Sequence, residues 1–108
     1  PKKYQLASQN ITSTGIGQFV ELIHGDAKDY LKKTISQFNY VFMDCEKEDY
    51  LYFFKELVNR LTHGVLIADN VISHADDVRE FIELVNSDSR VSSIILPIGK
   101  GLALVQWL

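Results

Sequence analysis

Tyr40-Val41-Phe42-Met43-Asp44 and Val65-Leu66-Ile67-Ala68-Asp69-Asn70 are two short apolar runs that each end in oxygen-bearing side chains. Consecutive apolar positions over this length read as strands covered on both faces of a parallel sheet. Such strands would bring Asp44, Asp69 and Asn70 together at one sheet edge. Their carboxylate and amide oxygens suit a hard divalent cation, with water or substrate oxygens completing an octahedral shell. That combination points to an enzyme.

Outward from these runs, helix and strand patterns alternate. Lys3 to about Ser13 predicts a helix stopped by Gly15, and Phe19 to Ile23 a short strand turned by Gly25-Asp26. Ala27 to Thr34 suits a short helix. From Asp49 to about Leu61, the residues Leu51, Phe54, Leu57, Val58 and Leu61 recur at helical spacing and form a core-facing stripe. Asp76 to about Asn86 repeats the pattern through Val78, Phe81, Ile82 and Val85. Val91 to Leu96 and Leu102 to Leu108 are strands joined by Pro97-Ile98-Gly99-Lys100-Gly101, a connection short enough to make an antiparallel hairpin. The implied architecture is α/β and mostly parallel, with the last strand reversed. In such sheets ligands bind beyond the carboxyl ends of the strands, where Asp26, Asp44 and Asp69 would lie.

Bulk properties are those of one ordinary globular domain. The 108 residues are 46% hydrophobic and 23% charged, with a net charge of -3 that gives no basic footprint for nucleic acid. The one cysteine, Cys45, cannot form an internal disulfide, and no apolar run is long enough to span a membrane. A cytoplasmic location is the expectation.

Three blocks carry a resemblance. Asp44-Cys45-Glu46-Lys47-Glu48-Asp49-Tyr50, Gly64-Val65-Leu66-Ile67-Ala68-Asp69-Asn70-Val71 and Leu96-Pro97-Ile98-Gly99-Lys100-Gly101-Leu102 resemble successive segments of the metal-dependent, class I S-adenosylmethionine O-methyltransferases, the family of the caffeoyl-CoA and catechol enzymes. Val20-Glu21-Leu22-Ile23-His24-Gly25-Asp26-Ala27 is similar to that family's adenine-side block. The resemblance implies a Rossmann-like sheet and an S-adenosylmethionine site touched by Asp26, Ala27 and Asp44. It implies Mg2+ or another divalent cation on Asp44, Asp69 and Asn70, with Lys47 as general base. It also implies an acceptor with metal-chelating hydroxyls: a small catechol-like or vicinal-diol molecule, with transfer RNA not excluded by the family's range. The family's glycine-rich loop and ribose-binding acid have no counterpart, and Gly15-Ile16-Gly17 follows a helix where a dinucleotide loop would follow a strand. The chain therefore reads as the carboxyl-terminal part of an O-methyltransferase domain, lacking the family's first two strands.

Each residue has a plainer reading. A single Asp at a strand end is often a turn former or helix cap, and Asp26 would serve as a cap for the helix begun by Ala27. Lys47 lies in a charged cluster that could be a solvated turn. Cys45 lacks any catalytic cysteine motif and reads as packing. Of the histidines, His74 alone lies where it could contact an acceptor. The alternative to an enzyme is a non-catalytic module of the same fold acting in oligomerisation or assembly. With strands missing, unpaired edges favour a rearranged five-stranded sheet, Phe19–Ile23 pairing with Tyr40–Met43, and a homo-oligomer.

Overall fold

The computed structural model describes residues 1–108, which divide into two compact units, Pro1–Thr34 and Ile35–Leu108. The first unit holds α1 (Lys2–Ser13), a 3-10 turn at Gly17–Phe19 and α2 (Ala27–Lys33). Asp26 caps α2, its carboxylate accepting the backbone N–H of Lys28 at 2.8 Å. Asp29 in the first turn of α2 and Lys32 and Lys33 in its last complement the helix dipole. Within this unit Tyr4 stacks on His24, with ring centroids 4.7 Å apart.

The expected strand at Phe19–Ile23 does not form. Phe19 ends the 3-10 turn and is 80% exposed, and Val20 is extended but belongs to no sheet. Strand propensity mostly measures packing against a neighbour, and this segment has no strand beside it. The five-stranded rearrangement is thereby corrected to a four-stranded sheet.

The second unit contains that sheet, built from β1 (Tyr40–Met43), β2 (Val65–Asp69), β3 (Val91–Leu96) and β4 (Leu102–Trp107) in the order β1-β2-β4-β3. β1 and β2 are parallel, and β4 is antiparallel to both β2 and β3. Three strands thus share a direction and the last is reversed, as the short connection predicts.

One sheet face is buried. Met43, Leu66, Ala68, Ala103, Val105 and Trp107 lie on it, and α3 (Tyr50–Leu57) and α4 (Arg79–Ser87) pack there. Phe54 of α3 meets both Phe81 of α4 and Trp107 at 5.9 Å between centroids, and the Trp107 indole N–H donates to the Val58 carbonyl at 2.7 Å. The opposite face differs from expectation. Phe42, Ile67, Leu104 and Ile94 form one cross-strand row there, yet Phe42 and Ile94 remain about half exposed. The apolar runs are therefore covered on one face and only partly on the other.

Both principal helices are shorter than their apolar patterns. A 3-10 turn at Lys47–Asp49 precedes α3, and turns occupy the segment before Arg79. At the α4–β3 connection, Asp88 accepts the backbone N–H and side-chain Nε of Arg90, both at 2.9 Å, and a further guanidinium N–H at 2.6 Å. These hydrogen bonds from Arg90 hold the Asp88 carboxyl down at about 2 against an ordinary 3.8. A depressed carboxyl stabilises the fold above its unfolded pKa and loses that contribution as pH falls through the folded one. Urea unfolding between pH 5 and about pH 2 should therefore show a steeper loss of stability in the native chain than in Asp88→Asn.

The β3–β4 connection is a tight turn with Gly99 at φ 58° and Gly101 at φ 94°. A Cβ on Gly101 would meet the backbone nitrogen and Cβ of Ile72, each at 2.7 Å. Gly101→Ala should thus cost roughly 1–3 kcal/mol, from backbone strain and the collision together. The midpoint of a denaturant titration checks this.

Candidate metal and catalytic site

The parallel register sets the site. Met43 is paired with Ala68, so the next residues, Asp44 and Asp69, adjoin at the carboxyl ends of strands about 5 Å apart. Asn70 follows with φ 65°, a left-handed conformation that Asn tolerates better than most residues. Its backbone N–H donates to the Asp69 carboxylate at 2.7 Å, and its carbonyl accepts the His74 N–H at 3.0 Å. The loop beyond is clamped by the β3–β4 turn. The N–H of Val71 donates to the Gly101 carbonyl, and those of Ile72 and Ser73 donate to the Lys100 carbonyl. Sequence reading treated Pro97–Gly101 as a turn only; its role in holding the loop after Asn70 was not visible there.

Lys47 lies three residues beyond Asp44, at the start of the 3-10 turn, and is mostly buried. Its ammonium donates to the Asp44 carboxylate at 3.0 Å, the Cys45 carbonyl at 3.1 Å and the Tyr50 hydroxyl at 2.8 Å. An ammonium has three donors, and all are used. Burial pulls its pKa down, but the bonds to Tyr50 and Asp44 outweigh burial and hold it above the ordinary value. In this arrangement Lys47 is a charged donor. A role as base would require another cation to take up the charge of Asp44.

Tyr50 is the residue that sequence reading missed. Fully buried at the start of α3, its hydroxyl reaches the carbonyls of Asp69 at 2.7 Å and Met43 at 3.2 Å. The available signal was its place three residues after Lys47, one turn along the same helical face. Burial above all raises the Tyr50 pKa, so the hydroxyl keeps its proton. Desolvation likewise raises the Cys45 thiol, in keeping with packing rather than nucleophilic use.

Asp44, Lys47, Asp69 and Asn70 are thus brought together within the second unit. Asp26 and Ala27 belong to the first, exposed at the start of α2. His74 lies in the clamped loop, its ring nitrogen 2.9 Å from the Ser73 hydroxyl. No group of three or more His, Cys, Asp or Glu side chains is arranged to hold a metal ion. Any cation here depends on two carboxylates, the Asn70 amide and oxygens from outside the chain. That all-oxygen donor set fits a hard cation such as Mg2+ that keeps several waters. Adjoining it at Lys47 is a groove of about 420 Å³, with Lys47, Glu48 and Leu51 on one side and Asp76, Asp77, Arg79, Glu80 and Phe81 on the other.

A sequence model of the O-methyltransferase family matches residues 1–108. The chain belongs to that family. Among curated relatives, caffeoyl-CoA O-methyltransferase of Citrus natsudaidai is 23% identical over 95% of this chain and 55% of its own length. Caffeoyl-CoA O-methyltransferase 2 of Zea mays is 27% identical over 95% of this chain and 48% of its own. The chain spans about half the length of these relatives. Among solved structures, an SAH-bound methyltransferase of Podospora anserina superposes with a TM-score of 0.89 at 22% identity, covering 100% of this chain and 57% of the other. An O-methyltransferase of Bacillus cereus in complex with SAH gives 0.85 at 23% identity, covering 99% and 59%. These likenesses establish the methyltransferase fold. No helix of this O-methyltransferase family member is long and apolar enough to cross a membrane.

Proposed function

We propose that this chain supplies the metal and acceptor side of an S-adenosylmethionine-dependent O-methyltransferase site. One observation carries the reading: Asp44, Asp69 and Asn70 meet at adjoining strand ends, with Lys47 bonded to the first of them. When bound, S-adenosylmethionine would supply the methyl group and a divalent cation would make a chelated hydroxyl more acidic. The side-chain oxygens of Asp44, Asp69 and Asn70 would hold the cation. Lys47, whose charge is balanced here by Asp44, would release its own proton to water more readily once a cation takes up that carboxylate, and the neutral amine would then accept the acceptor proton. Asp26 and Ala27, by family resemblance, would face the cofactor's adenine.

The groove beside Lys47 supports a small acceptor. Its lining carries four acids, Glu48, Asp76, Asp77 and Glu80, against two cations, Lys47 and Arg79, a balance that disfavours a polyanion such as transfer RNA. A neutral catechol-like or vicinal-diol molecule meets no such penalty. Titration of the full chain with Mn2+, followed by the electron paramagnetic resonance of the free ion, tests the reading. One saturable site is the expected result, and its absence would overturn the metal assignment.

A further inference from the structure

We propose that the Tyr50 hydroxyl is a positioning group, tying the ends of β1 and β2 and the Lys47 ammonium into one unit. Its consequence for cation binding rests on the function proposed above; the tie itself does not.

A buried tyrosine hydroxyl needs only one partner to be satisfied. This one has three, from three different places. Its single proton is shared between the carbonyls of Asp69 at 2.7 Å and Met43 at 3.2 Å, with the shorter arm to Asp69. Met43 immediately precedes Asp44, and Asp69 is itself a candidate ligand. The oxygen accepts from Lys47 at 2.8 Å. β-Ladder bonds end at these strand tips, so the hydroxyl adds a cross-link where the sheet would otherwise fray. The ring cannot drift, since it meets Phe81 of α4 edge-on at 5.6 Å and is fully buried. The distance between the backbones that carry Asp44 and Asp69 is therefore set by a side chain that need not touch a cation or substrate.

Tyr50→Phe keeps the ring and deletes the tie. Native-state hydrogen exchange on the full chain should show faster exchange of amides at residues 43–45 and 69–71, while Leu66 and Val105 in mid-sheet slow or quicken only with global stability. Val85→Ala, a buried change on α4, supplies the control for general destabilisation and should leave the strand tips no faster than mid-sheet. Mn2+ affinity should fall by roughly 10-fold or more in Tyr50→Phe, the range for groups that orient metal ligands, and stay near native in Val85→Ala. Unchanged exchange at the strand tips would overturn the tie. Native Mn2+ affinity in Tyr50→Phe, with binding lost in Asp69→Asn, would overturn its role in positioning. Equal Mn2+ affinity in native and Asp69→Asn chains would instead remove the metal reading and leave exchange to decide the tie.

Discussion

Asp69→Asn should lose saturable Mn2+ binding while its unfolding midpoint stays within about 0.5 kcal/mol of native. The substitution removes one of two carboxylates on adjoining strand tips, and with it a full charge facing the cation. An amide oxygen remains to accept the Asn70 N–H that the carboxylate takes at 2.7 Å. The fold therefore keeps its bond, and the repulsion between neighbouring anions is relieved. Loss of a direct ligand should exceed the roughly 10- to 100-fold seen for groups one shell further out. Asp44→Asn is the less clean experiment, because Asp44 also pairs with Lys47 at 3.0 Å. Its loss would leave the ammonium of a side chain only 14% exposed without a counter-charge, so folding and binding would change together. Unaltered Mn2+ affinity in Asp69→Asn would remove Asp69 from the site.

Phe81→Ala should be the most damaging single change to stability, at about 3–5 kcal/mol. Phe81 is 1% exposed and is met edge-on by Tyr50 at 5.6 Å and by Phe54 at 5.9 Å. Phe54 in turn contacts Trp107, so one ring links α4, α3 and β4. Against the 5–15 kcal/mol typical of a whole domain, a loss of this size leaves little margin. The wall behind the Tyr50 ring goes too, so the strand tips should loosen before the sheet melts. Urea titration measures the first effect. Ile35→Ala, at a position 96% exposed, should shift the midpoint by no more than about 0.5 kcal/mol.

The legible parts of this chain were those written in local pattern. β2 and the final hairpin were readable from apolar runs and a short glycine-bearing turn, and the stripe Phe54-Leu57-Val58-Leu61 from helical spacing. The meeting of Asp44 with Asp69 followed from two similar strand ends once they were placed in parallel. Phe19–Ile23 has strand-like composition, but composition cannot say whether a neighbouring strand exists. The half-open face of β1 and β2 was misread for a related reason: an apolar residue looks the same whether covered or not. Tyr50 and the Gly101 clamp were hidden because both act through backbone carbonyls, which every residue possesses and no sequence pattern marks.

The order of strands also bears on how the chain is made. β4 lies between β2 and β3, and the backbone of Lys100 and Gly101 holds the loop that follows Asn70. A ribosome delivers Asp44 and Asp69 long before it delivers either. Until residues 100–107 emerge, β2 has one edge bare and the segment beyond Asn70 has nothing to rest against. The strand tips that carry the candidate ligands are thus synthesised well before the residues that lock them. A nascent chain stalled within β3 would already contain all three candidate ligands, yet the loop that follows them would still lack its anchor.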